Sequence, residues 1–200
     1  MELKLKMGNI SRKEREKRRL RREILFAASE LFANLSYEKT TVQRIAEEAE
    51  VSVGTIYNLF SGKEEIFLDL INMIIENLDT EISEASDSNQ DPVDKIRSFF
   101  RTYLSYCEKH LSAMIVIHHE NPLKMKGAIM DFFKKHISIL EKHFSMAIES
   151  GALNWENPRL LAAITMGYID SYAYMITQES SSVEKNELIS LFNRTLLQAP

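Results

Sequence analysis

With a single cysteine in 200 residues, the chain cannot form an internal disulfide, and no paired-cysteine spacing suggests a zinc site. Four prolines and six glycines are too few for the turns of a loop-rich all-β fold. No apolar run approaches the roughly 18 residues that a membrane span needs. The N-terminus is basic without an apolar stretch behind it, so it does not read as a secretory signal. These absences predict a soluble protein of the reducing cytoplasm, with no membrane partner. Hydrophobic residues at 44% and charged residues at 27% are ordinary for a globular chain. The length suits a small module plus a larger body.

Charge is scarce in one sign at one end. Residues 1–22 hold ten Lys or Arg (Lys4, Lys6, Arg12, Lys13, Arg15, Lys17, Arg18, Arg19, Arg21, Arg22) and three Glu, for a net charge of +7. The other 178 residues carry −11. Such asymmetry fits a polyanion partner at that end, or a merely solvated basic tail.

The chain reads as all-α, with about nine helices. Ser11 and Glu14 form a capping-box pattern, so helix 1 starts near Arg12. Leu20, Ile24, Ala27, Ala28, Leu31 and Leu35 keep helical spacing behind it. Its cationic first turns oppose the helix dipole, which stability alone does not explain but an external polyanion does. Thr41 caps helix 2 (42–49), Ser52 caps helix 3 (53–59), and Ser61 with Glu64 opens helix 4, which runs to about Ala85. Residues 86–90 read as a linker. Asp91-Pro92, Asn121-Pro122 and Asn157-Pro158 each place a capping side chain before a proline at the first helical position. Helices are therefore expected from 92 to about Cys107, around 111–119, from 122 to Ser150 with Gly151 as stop, and from 158 to about Gln178. Ser181 and Glu184 cap a last one to about Gln198.

Residues 41–60 have helix-turn-helix spacing. Ile45, Ala46 and Ala49 face inward, Val51 fills the turn, and Ile56 and Phe60 anchor helix 3. Val53, Gly54 and Thr55 are left at its exposed N-terminal end, the end that meets base edges in this motif. Glycine costs about 1 kcal/mol against alanine in a helix, and a bare position there allows close approach to DNA.

The stretch resembles the DNA-binding domain of the TetR family of bacterial transcriptional regulators. The likeness rests on Ile24–Leu25, Ala27–Ala28, Leu31–Phe32, Tyr37, Thr40–Thr41, Ile45–Ala46, Ala49, Val51–Ser52, Gly54–Thr55, Tyr57, Phe60 and Lys63–Glu64. It implies an N-terminal three-helix DNA-binding domain (1–63, with the basic arm) and a larger ligand-binding and dimerisation domain (64–200), with helix 4 (63–85) as connector. It implies phosphate contacts by Thr41, Arg44, Tyr57 and Lys63, and base contacts by Val53, Gly54 and Thr55, with Arg44 reaching a base as well. The bland alternatives are core packing for Tyr57 and solvation for Lys63. Three positions depart from the family pattern. Glu50 and Ser36 stand where glycine is usual, and Leu59 replaces a tyrosine or histidine. The basic arm, through Arg18, Arg19 and Arg22, is expected to compensate on backbone or minor groove.

Helix 8 is apolar on most faces (Leu160, Leu161, Ala163, Ile164, Met166, Tyr168, Ile169, Tyr172, Ala173, Met175), and helix 9 repeats the pattern, so a second copy is the natural cover. The resemblance implies the same: helices 8 and 9 pair with their copies in a homodimer, which suits a palindromic operator. It also implies a small-molecule effector. Phe99, Tyr103, Phe133, Tyr168 and Asp170 are the ligand-binding candidates, with Phe100, Tyr106, Met114, Met125, Met130 and Met175 beside them. Ordinary core packing is the alternative for each, and for Asp170 a bond to a neighbouring hydroxyl or to the other subunit. His118, His119 and Glu120 are adjacent, and His136 and His143 are seven apart, without the i, i+4 pairing of a metal site. No glycine-rich phosphate loop or activated nucleophile points to an enzyme, and no cofactor is expected. The reading is a dimeric repressor released from its operator by an apolar effector, or an adaptor of the same fold that has none.

Overall fold

The computed structural model describes the backbone of residues 11–87, 91–119, 122–178 and 183–198, and the side chains there except at 86–87, 122–126 and 128–129. Among these it holds nine helices and no strand: α1 (Arg12–Leu35), α2 (Val42–Glu48), α3 (Val53–Tyr57), α4 (Lys63–Asp87), α5 (Pro92–Lys109), α6 (Leu111–His119), α7 (Pro122–Glu149), α8 (Pro158–Ile176) and α9 (Lys185–Leu196). The all-α expectation holds. The end of the 86–90 linker, the Asn121 and Ser181 caps and the side chain of Met125 lie outside the described residues. None of the described helices is long and apolar enough to cross a membrane. The chain divides into two compact units, residues 1–70 and 71–200, and α4 contributes to both.

In the first unit the expected caps are in place. The side chains of Ser11, Thr41 and Ser52 accept from the backbone N–H of Glu14, Arg44 and Thr55 at 3.1, 3.2 and 3.0 Å. Helix α3 stops at Tyr57, two residues before the expected end, and the N–H of Asn58 and Leu59 turn back to Gly54 and Ile56. The Ser61 N–H is received by the Glu65 carboxylate at 2.7 Å, one residue beyond the expected Glu64. The core stacks Phe32, Tyr37 and Phe67 with ring centroids 5.0–5.5 Å apart, and Ile24, Ile45, Ile56, Phe60 and Ile66 close around them. Arg21 fastens α1 to α4. Its Nη1 donates to the Leu59 carbonyl at 2.6 Å, its other nitrogens reach Asp69 and Glu65, and its guanidinium lies 4.2 Å from the Phe60 ring centre.

The second unit is built from the rest of α4 with α5–α9. Asp91 and Asn157 cap α5 and α8 as their dipeptides predict, and Gly151, at φ 75°, ends α7. Phe100 of α5 stacks on Phe192 of α9 at 3.9 Å. Tyr172 donates its hydroxyl to Glu108 at 2.6 Å, and Lys185 pairs with the same carboxylate. His136 is fully buried. Its Nδ1 sits 3.0 Å from the Phe132 carbonyl and its Nε2 3.1 Å from Asp79.

Two turns of the first unit are strained where the family pattern has glycine. Ser36 sits at φ 73° and ψ 158°, and Glu50 at φ 53°. The first is a region nearly reserved to glycine, costing about 1–3 kcal/mol, and the second costs about 1–2. Glycine returns roughly 0.5–1 kcal/mol of either gain to the unfolded chain. Ser36→Gly is therefore expected to raise the unfolding free energy by about 1–2 kcal/mol and Glu50→Gly by about 0.5–1, read from urea melts. A loss of stability in either variant contradicts the strain.

Burial pushes the imidazoles of His110, His118 and His143 below their ordinary value, and His136 goes the same way. The folded chain then takes up these protons less readily than the unfolded chain. Stability is full above the unfolded value of about 6.5 and is lost as pH falls below it toward the folded values. The carboxylates of Glu16, Glu65 and Glu108 are held low by their partners and titrate below this window. Thermal melts are expected to give a lower Tm at pH 5.5 than at pH 7.5, and an equal or higher Tm at pH 5.5 contradicts this.

Candidate nucleic-acid interface and candidate ligand pocket

The helix-turn-helix divides cleanly by burial. Ile45, Ala46, Ile56 and Phe60 are inside, while Thr41, Arg44, Gly54 and Tyr57 are exposed and Val53 and Thr55 half-buried. Tyr57 is 58% exposed, so core packing does not account for it. Nor does the fold require Gly54. A Cβ there would meet only Ser52 Oγ, at an ordinary 3.6 Å, and its φ is not positive. The Arg44 guanidinium makes no ion pair or hydrogen bond among the described residues, and the Thr55 hydroxyl lies 2.9 Å from Ser52 Oγ.

Lys63 is neither simply solvated nor simply free. Its ammonium donates to the carbonyls of Tyr37 and Thr40 at 2.7 and 2.9 Å and stands 4.1 Å from the Tyr37 ring centre. An ammonium has three donors, so one remains for an outside acceptor. The sequence does not show this role, since the acceptors are backbone atoms more than twenty residues away.

Along α1, Arg18 pairs with Glu14 at 3.3 Å, and Arg19 with Glu16 and Glu23 at 2.7 and 2.5 Å, while Arg22 is exposed. Two of the three arm residues expected to meet DNA are thus tied along their own helix. An open groove of about 980 Å³ runs between the start of α1 and the end of α3. It is lined by Ser11, Arg12, Lys13, Glu14, Glu16, Lys17 and Leu20 on one side, and by Thr55, Asn58 and Leu59 on the other.

The second unit holds an apolar cavity of about 40 Å³. Of the ligand candidates, Tyr103, Phe133 and Asp170 line it, with Met114. Phe99 does not. It is wholly buried behind the cavity, 6.2 Å from Tyr103 and 5.5 Å from His136 between ring centres. Tyr168 does not either, because α8 turns it toward α9, with its hydroxyl 3.4 Å from Thr195 Oγ1. Phe100 is spent on Phe192, Tyr106 donates to the Ile74 carbonyl at 3.0 Å, and Met130 is exposed. The lining residues not among the ligand candidates are Ile71, Ile74, Ile75 and Leu78 of α4, Ile117 and His118 of α6, Phe132 of α7, and Ile169 and Ala173 of α8. The 71-74-75-78 spacing is an apolar helix face, the signal that marks α4 as a cavity wall and not only a connector. Asp170, at the edge, makes no hydrogen bond or ion pair among the described residues, so no neighbouring hydroxyl occupies it. It raises the His118 imidazole while burial, the larger effect, lowers it.

Helix α8 buries one face (Leu161, Ala162, Thr165, Met166, Ile169, Tyr172, Ala173) and leaves Leu160, Ile164 and Tyr174 exposed. Leu191 of α9 is exposed too.

Residues 24–70, the helix-turn-helix and its flanks, match the family described as bacterial regulatory proteins, tetR family. The HTH-type transcriptional repressor KstR2 of Mycobacterium tuberculosis is 27% identical over 100 residues, which are 50% of this chain and 50% of the relative. The chain spans about half the length of the first curated relatives it matches. Over nearly the whole chain the fold is shared with the fatty acid degradation regulator FadR from Bacillus halodurans, with TM-score 0.77 and 20% identity, covering 88% of this chain and 94% of that one. It is shared also with AibR, solved in complex with isovaleryl coenzyme A and operator DNA, with TM-score 0.73 and 19% identity, covering 89% and 98%. The helix-turn-helix geometry and the nine helices among the described residues agree with that match: residues 24–70 are a DNA-binding segment of the tetR family of bacterial regulatory proteins.

Proposed function

We propose that the chain is a dimeric, sequence-specific transcriptional repressor, released from a palindromic operator by a small apolar effector. The observation that carries the DNA-binding half is the end of α3. Gly54 is bare without any need of the fold, and Tyr57 stands in solvent beside it. In this reading Val53, Gly54 and Thr55 meet base edges. Thr41, Arg44, Tyr57 and the spare donor of Lys63 meet phosphates, which fix register without reading sequence. Residues 1–63 act as the DNA-binding head and 64–200 as the regulatory and dimerisation domain, with α4 between them. The repressor KstR2 among its relatives supports the direction of control.

The effector half rests on the cavity of the second unit. At about 40 Å³ it is far smaller than the roughly 300 Å³ or more that a drug-sized ligand fills. Seating an effector requires α4 and α7 side chains to move, and α4 runs without a break from Lys63 to Asp87. The neighbour AibR, with isovaleryl coenzyme A bound, supports an acyl-bearing ligand class. Leu160 and Ile164, one turn apart and both exposed on α8, support a second copy there, with exposed Tyr174 on α8 and Leu191 on α9, since neighbouring apolar side chains at a surface mark contact sites.

Two measurements test the reading. Selection from a randomised duplex library is expected to enrich an inverted repeat. Gly54→Ala, which gains helix propensity and meets no clash, is expected to keep or raise Tm and to bind that repeat at least tenfold more weakly, because the added methyl sits against DNA. Unchanged binding by the folded variant overturns the placement of α3. For the effector, decanoate, decanol and decanoyl coenzyme A are offered in thermal shift and in DNA release. At least one is expected to raise Tm and weaken DNA binding. No response to any of the three, with DNA binding intact, favours the adaptor without an effector.

A further inference from the structure

The face that α1 buries in the core does not end where the core ends. Buried Ile24, Ala27 and Ala28 and half-buried Leu31 continue toward the N-terminus as Leu20, Lys17 and Lys13, spaced by three or four residues along one helix stripe. At the turn beyond Leu20 the stripe changes from apolar to lysine, and the same two lysines line the open groove of about 980 Å³ that faces the end of α3. Neither Lys13 nor Lys17 makes an ion pair or hydrogen bond among the described residues. The carboxylates that share the groove are already engaged, Glu14 by Arg18 and Glu16 by Arg19. The opposite wall offers the neutral side chains of Thr55 and Asn58 and the apolar Leu59.

A cationic wall without internal partners, facing a neutral wall formed by Thr55 of α3 and the two residues just past its end, calls for a polyanion running along the groove. Four residues of helix advance about 6 Å, comparable to the through-space separation of neighbouring phosphates on one DNA strand, which rises roughly 3.4 Å per nucleotide along the duplex axis. We infer that Lys13 and Lys17 form a second DNA-binding element. The N-terminal extension of α1 clamps the phosphate backbone of one strand against the end of α3, while the base-reading end of α3 enters the major groove. The inference rests on the DNA-binding reading above. It differs from the sequence expectation, which looked to Arg18, Arg19 and Arg22. The first two serve to neutralise the glutamates that would otherwise repel the strand.

The clamp grips phosphate, so a random-sequence 30-bp duplex is a sufficient probe. Its affinity for the full chain is measured by fluorescence anisotropy across a series of KCl concentrations. Each lysine–phosphate pair removed lowers the slope of log K against log salt by about 0.9. Lys13→Gln with Lys17→Gln is expected to lower it by about 1.8 for each bound protomer, with Tm unchanged because both side chains are exposed and unpartnered. Lys13→Arg with Lys17→Arg is expected to keep the wild-type slope. Lys134→Gln with Lys142→Gln, which removes the same charge from α7, is the control for net charge. A slope in the Lys13/Lys17 variant equal to wild type, or lowered no more than in the α7 control, overturns the clamp and leaves the α3 reading standing. Failure of the wild-type chain to bind the duplex at any salt concentration overturns the DNA-binding reading and the clamp with it.

Discussion

Everything that the exposed surface of the helix-turn-helix offers depends on the burial of a few side chains beneath two very short helices. Helices of seven and five residues, such as α2 and α3, are not stable alone in water, because nucleation costs more than so few hydrogen bonds return. They exist because Ile45, Ala46, Ile56 and Phe60 are buried in the core of the first unit, at about 1.5–3 kcal/mol for each large side chain. Thr41 and Ser52 hold their first turns. With the buried faces fixed, the orientation of Gly54, Thr55 and Tyr57 follows without any contact of their own.

The same core fixes the extension of α1. Arg21 ties α1 to Leu59, Glu65 and Asp69, and its guanidinium covers Phe60. The helix that carries the basic residues is therefore referred to the end of α3 by the guanidinium, and not only by the chain between them. Strain at Ser36 and Glu50 is borne in the two turns that set the angles of α1 to α2 and of α2 to α3. Buried Thr40, donating to Ser36 and Leu31 carbonyls, and Lys63, donating to Tyr37 and Thr40, hold the first of these turns despite its cost.

Much of the fold could be read from the sequence because its signals are local. Ser11, Thr41, Ser52, Asp91, Asn157 and Gly151 each act within a few residues of themselves, and each marks a helix end where expected. What could not be read depends on which neighbour a helix faces. Periodicity shows that α5 and α8 bury a stripe, but not that Tyr103 meets the cavity while Phe99 sits behind it, or that Tyr168 turns to Thr195. Lys63 was out of reach because its partners are carbonyls, which every residue has. The Lys13–Lys17 wall was hidden among ten basic residues, since charge count does not say which of them an adjacent glutamate has already taken. The α4 stripe at Ile71, Ile74, Ile75 and Leu78 is legible as a helical apolar face, but spacing alone does not say whether that face meets a cavity or a neighbouring helix.

The central claim is that the exposed end of α3 reads bases while the rest of the head only holds it in place. Its most direct test is the sequence preference of Thr55→Ala, compared with wild type over all single-base changes in the selected repeat. Loss of preference at one symmetric pair of positions, with the others kept, is the predicted result. A uniform fall in affinity with the preference profile unaltered would contradict the account.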